Sequence, residues 1–104
     1  MAKYLFVYHG GSHPETEEEV AAVLDAWGQW LGGLGSAVID GGNPVGMSTT
    51  VHPGGKVTDD GGSNPVSGYG MFEASDKDAA VAQAKGCPIL EAGGTVELAE
   101  IIDR

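Results

Sequence analysis

Between Lys3 and His9 the chain is apolar on both parities, with Tyr4, Phe6 and Tyr8 on one and Leu5 and Val7 on the other. An alternating segment with two apolar faces predicts a strand covered on both sides, hence a central one. From Pro14 to Leu34 the period lengthens to three or four residues. Val20, Leu24, Trp27, Leu31 and Leu34 make one stripe, widened by Val23 and Trp30, and predict an amphipathic helix. Pro14 suits its first turn, and Thr16-Glu17-Glu18-Glu19 reads as a capping box. Glutamates at 15, 17, 18 and 19 favour the positive end of the helix dipole, and Gly32, Gly33 and Gly35 supply the stop.

Beyond the helix the elements shorten. Ser36–Asp40 reads as a second strand, followed by a turn at Gly41-Gly42-Asn43-Pro44. Met47–His52 and Lys56–Thr58 flank Pro53-Gly54-Gly55, which predicts an extra β-ribbon around residues 47–58. A polar loop, Asp59–Pro65, leads into a strand at Ser67–Ala74. Asp76 caps a second helix running through Ala84 and ended by Gly86 and Pro88. Thr95–Ile102 is the last strand, with Val96, Leu98 and Ile102 on one parity and Ala99 and Ile101 on the other.

The order predicts a single α+β domain over residues 1–104, a ferredoxin-like β-α-β-β-α-β sandwich. Its four-stranded antiparallel sheet carries both helices on one face. Two helices leave the other face bare although its strands are apolar there too. A homodimer through sheet faces is the expected remedy.

Composition narrows the partners. Fifteen acidic against five basic residues give a formal net charge of −10, which opposes nucleic acid and anionic membranes. One cysteine, Cys87, excludes an internal disulfide and a cysteine-built zinc site, and fits a reducing, cytoplasmic setting. The 18 glycines fall mostly in pairs without a fixed spacing, so they mark turns rather than repeats.

Candidate chemistry is sparse. His9 and Asp40 end the first two strands, and strand ends can meet at one rim of a sheet. An imidazole oriented by a carboxylate is a competent general base, so the two are the candidate catalytic pair. The structural alternative packs His9 at a strand end and spends Asp40 on the glycine turn. Tyr8, Asn43 and Tyr69 are candidate pocket residues for a small organic ligand, the phenols as donors toward developing negative charge. His9 and His13 have a helical ligand spacing, but Gly10-Gly11 intervenes, so no metal site is expected. Gly10-Gly11-Ser12 lacks the lysine of a phosphate loop, and no cofactor is implied.

Lys3-Tyr4-Leu5-Phe6-Val7-Tyr8, Trp27-Gly28-Gln29-Trp30-Leu31, Asp40-Gly41-Gly42-Asn43-Pro44, Val57-Thr58-Asp59, Gly68-Tyr69, Asp76–Ala84 with Pro88, and Gly94-Thr95-Val96-Glu97 together resemble the YCII-related family. The resemblance implies a dimeric α+β barrel, two ferredoxin-like protomers enclosing a pocket between their sheets. Relatives of that fold include small enzymes of isomerase, dehydrochlorinase and monooxygenase type. The chain departs from the family where its chemistry is described. Leu24 stands where one branch has a first-helix histidine, and Asp59-Asp60-Gly61-Gly62 lacks the Pro-Phe of the other branch's Asp-Gly-Pro-Phe motif. Two functions stay open: a cofactor-independent enzyme performing isomerase- or lyase-type proton transfer in an inter-sheet pocket, and a non-catalytic small-molecule-binding or regulatory domain.

Overall fold

The computed structural model describes residues 1–103. Six strands and two helices follow the order β1 (Ala2–His9), α1 (Glu17–Leu34), β2 (Val38–Pro44), β3 (Thr50–Val51), β4 (Val57–Thr58), β5 (Val66–Ala74), α2 (Lys77–Ala84) and β6 (Thr95–Glu100). The main sheet has the order β2-β5-β1-β6, with every neighbouring pair antiparallel. This is the ferredoxin-like arrangement, with β1 in the interior as its two apolar parities require. β3 and β4 pair only with each other, as the ribbon read from the sequence.

Register sorts the side chains into two faces. Tyr4, Phe6 and Tyr8 stand beside Glu100, Leu98 and Val96 on one side and Phe72, Gly70 and Gly68 on the other. That face carries the core, in which Phe6 and Phe72 are wholly buried. Trp27, Trp30, Leu31 and Leu34 of α1 and Ala80 and Ala84 of α2 close over it. Phe6 lies 4.5 Å from Phe72 and 6.5 Å from Trp30, centroid to centroid, and the Trp30 indole N–H donates to the Gln83 carbonyl at 3.1 Å. Aromatic stacking and one satisfied indole therefore fix both helices to the sheet. The opposite face presents Leu5, Val7, Tyr69, Met71 and Ala99 with no layer over it.

α1 begins where the capping box places it. Thr16 Oγ1 accepts from the Glu19 N–H at 3.1 Å, and Thr16 is the N-cap rather than a helical residue. The reciprocal bond goes one residue further out than expected, from the Glu15 N–H to Glu19 Oε2 at 2.8 Å. Only the C-terminal half of the helix packs closely. Val20, Val23 and Leu24 are 41%, 40% and 68% exposed, so the first half overhangs the sheet rather than sealing it.

The second strand departs from the sequence reading. Gly35–Ala37 forms a short 3₁₀ turn, and the strand runs through Gly41-Gly42-Asn43-Pro44, the residues expected to turn. Two register shifts against β5 absorb them, between Val38 and Asp40 and between Asp40 and Asn43. The cause is local. Asp40 Oδ1 accepts from the Gly42 N–H at 2.8 Å, and Gly42 takes φ +73°, so the turn chemistry is spent on bulges within the strand.

Candidate functional site

The sequence-predicted pair is not assembled. Asp40 aligns with Met71, which aligns with Leu5, so Asp40 sits two strands across from β1 and level with Leu5. His9 is four residues further along β1. That spacing puts the two apart by about 14 Å along the strands and about 10 Å across them. β5 lies between, which is the physical reason the two strand ends do not meet.

His9 instead bridges β1, β6 and the loop before β5. Its Nε2 lies 2.8 Å from Glu97 Oε1, and its Nδ1 lies 3.2 Å from the Pro65 carbonyl oxygen. Both ring nitrogens therefore face acceptors. An imidazolium satisfies both as a donor, and a neutral ring satisfies one. The hydrogen bond to Glu97 is the largest cause raising the His9 pKa above its ordinary value, and burial works against it. A general base needs a free lone pair directed at its substrate, and neither nitrogen has one here. Sequence reasoning missed Glu97, which lies diagonally across from His9 once β6 pairs with β1. The signal was its parity, shared with Ala99 and Ile101.

This geometry has a pH consequence. His9 has a raised pKa in the folded chain, so its contribution is fully present below the unfolded value of about 6.5 and is lost as pH rises through the folded pKa. Wild type should therefore exceed Glu97→Gln in stability at pH 5.5, by a margin that shrinks toward pH 8.5. Denaturant titrations of both proteins across that range measure it. A margin that grows with pH would refute the assignment.

A mainly apolar cavity lies on the other side of the sheet. It occupies about 390 Å³ between the overhanging half of α1, the glycine loop after β1, and the bulged part of β2. Val20, Val23, Leu24, Trp27, Leu31 and Ile89 make its apolar wall. Gly10-Gly11-Ser12 and His13 form one end, and Gly41-Gly42-Asn43-Pro44 the other. Tyr8, Asn43 and Tyr69, the three candidate pocket residues, all line it. By strand alternation the Tyr69 ring belongs to the uncovered face, and its carbonyl oxygen is what approaches Gly42. Trp27, which belongs to the helix's apolar stripe, stands with its ring edge-on to Tyr8 at 5.1 Å and borders both core and cavity.

Ser67 and Tyr8 both carry a buried hydroxyl without a hydrogen-bond partner, and Tyr8 is 3% exposed. Burial pushes its pKa up, so it stays a protonated donor throughout the accessible range. Cys87 is also buried, and burial pushes its thiol up to about 11, which makes it a poor nucleophile. Among the described residues no three His, Cys, Asp or Glu side chains gather as metal ligands would, and no helix is long and apolar enough to cross a membrane.

Comparison with known families gives one match, to the YCII-related domain, over residues 4–103. The chain belongs to the YCII-related family. No curated protein matches it. The family match spans every element from β1 to β6 and includes the cavity-lining loops. Leu24 contributes an apolar side chain to the cavity wall.

Proposed function

We propose that this YCII-related protein binds a small organic molecule in the cavity between α1 and the sheet. The observation that carries the reading is the cavity itself. Its volume falls in the range of ligand sites, about 300–1,000 Å³, and its wall is aliphatic and aromatic with a few polar groups at the ends. The exposed Val20, Val23 and Leu24 support it further, because a ligand beneath them would cover apolar surface that the fold leaves wet. Naphthalene titrated into ¹⁵N-labelled protein should shift the amides of Gly10, Gly11, Val23 and Asn43. Val23→Trp, which fills the space from an exposed helix position, should abolish those shifts while leaving the fold intact. Unmoved cavity amides in wild type would remove the reading.

Proton-transfer catalysis is the second reading, and His13 is the observation that favours it. It is the one imidazole lining the cavity. A turnover found for any cavity ligand should then vanish in His13→Gln and survive in His9→Gln. Survival in both would leave binding as the function.

We also propose that the protein is a homodimer through the uncovered sheet face. The molecule is 18 Å thick along its shortest axis, enough for one sheet and one helix layer, so Leu5, Val7 and Met71 have nothing above them. Light scattering at micromolar concentration should give twice the protomer mass of 10.6 kDa. Val7→Asp should halve it, and a wild-type monomer would refute the pairing.

A further inference from the structure

The ribbon of β3 and β4 is left without a neighbour by its own chain. Its strands pair only with each other, and no hydrophobic residue from 45 to 65 belongs to the core or packs against it. Its root is tied to the main sheet by the Val45 N–H, which donates to the Ser67 carbonyl at 3.0 Å, and by the His9–Pro65 contact. The radius of gyration, 15.0 Å, exceeds the about 13 Å of a compact domain this long, which fits an arm that projects.

The two faces of the ribbon differ. Thr50 stands opposite Thr58 and Val51 opposite Val57, so strand alternation puts hydroxyls on one face and valines on the other. The hydroxyl face is satisfied within the segment: Thr50 Oγ1 donates to the Asp60 carbonyl, and Thr58 Oγ1 shares a hydrogen bond with His52 Nε2 at 3.0 Å. The valine face is bare. Val51 is 69% and Val57 56% exposed, and Met47, just before β3, is 97% exposed. A lone two-stranded ribbon is marginal in water, so this one needs a surface over its valines.

Charge selects that surface. From Gly41 to Thr58 the chain carries no acidic residue, its longest such stretch, and Lys56 stands at the ribbon's turn. The chain as a whole has a net charge of −10, so a second copy is an electrostatic complement to the ribbon. By strand register the uncovered sheet face holds the carboxylates of Asp40, Glu73 and Glu97 against Lys3 and the Glu97-bound His9. Area agrees with charge. Four strands give that face a footprint of about 500 Å² per copy. A stable interface takes about 800 Å² from each partner, so sheet against sheet falls short and the ribbons supply apolar surface of the missing kind.

Resting on the sheet-face dimer proposed above, we infer that the β3–β4 ribbon is a dimerisation arm. Each copy lays Val51, Val57 and Met47 on the uncovered sheet of the other, with Lys56 toward its carboxylates. Exchange of two identical arms about a two-fold axis closes the assembly at two copies.

The test uses the full chain. In a dimer mixed from ¹³C-labelled and unlabelled copies, the Val51 and Val57 methyls should show isotope-filtered NOEs to protons of the other copy. Methyls with contacts only inside their own copy overturn the arm. The double variant Val51→Ser, Val57→Ser changes side chains that nothing in the protomer covers, so the melt of the dilute monomer should not move. Its dimer dissociation constant should rise at least about 10-fold, and an unchanged constant overturns the apolar contact. Lys56→Glu should raise the constant about 3–10-fold at low salt and by less at about 0.5 M. Lys77→Glu alters the net charge equally from α2, on the covered side, and should do less; equal effects of the two overturn the placing of Lys56. A wild-type dimer that ribbon variants leave intact keeps the sheet pairing and loses the arm. A wild-type monomer at every concentration defeats the sheet-face reading itself, and the arm with it.

Discussion

Phe6→Ala should destabilise the fold by about 3–5 kcal/mol, the range for removing a buried phenylalanine and leaving part of its volume empty. Phe6 has no exposure at all and touches the ring cluster that joins both layers, Phe72 beneath and Trp30 above. The neighbours cannot collapse into the gap easily, because Phe72 is itself fixed by Trp30 at 5.3 Å. A domain of this size has about 5–15 kcal/mol in total, so the loss is a large share of it. The melting temperature should fall by at least about 12 °C, read by circular dichroism. Phe6→Leu should lose much less, since most of the volume returns. Similar melting temperatures for Phe6→Ala and wild type would show that this cluster is not the core.

Gly42→Ala tests the bulged strand, and the clash is with backbone. A Cβ there would stand 1.5 Å from the Tyr69 carbonyl oxygen and 2.5 Å from its carbon, at φ +73°. No side-chain rotation can relieve that contact, so β2 must part from β5 around Asn43. Backbone strain and lost pairing together should cost about 2–4 kcal/mol. Amide exchange should accelerate in β2 and in β5 from Gly68 to Met71, while β1 and β6 keep their protection. Ligand binding should weaken with it, because Gly41, Gly42 and Asn43 form one end of the cavity. Uniform acceleration across all four strands would mean that β2 does not open independently.

The legible parts of this fold were those whose cause is local. β1 carries its central position in the parity of Tyr4, Phe6 and Tyr8 against Leu5 and Val7. Thr16 and Asp76 announce their helices because a cap hydroxyl or carboxylate acts within three residues: Asp76 Oδ1 accepts from the Ala79 N–H at 2.9 Å. What sequence reasoning missed depends on distant neighbours. Gly41-Gly42-Asn43-Pro44 has turn composition, and only the β5 partner turns it into a bulged strand. The His9–Asp40 pairing failed because the order β2-β5-β1 inserts a strand between them. Glu97 could be matched to His9 only after the β1–β6 register was known. The cavity exists because α1 diverges from the sheet over its first half, and the uninterrupted apolar stripe from Val20 to Leu34 gave no sign of that. Tyr8, Asn43 and Tyr69 were named for their residue types, and the structure places all three at the cavity's boundary.

The two bulges in β2 also govern how the sheet ends. β2 and β6 are its edges, and an edge strand with regular outward N–H and C=O groups is a template for another chain. β2 cannot act as one for long. Its register breaks twice within seven residues, and Pro44 lacks an N–H to offer at the point where the strand stops. β6 runs only from Thr95 to Glu100 and carries two glutamates, so a second β6 laid alongside would bring like charges together. Sideways growth is blocked at one margin by geometry and at the other by charge. A chain with so much uncovered apolar sheet is thereby steered away from growing edge to edge into open-ended fibres.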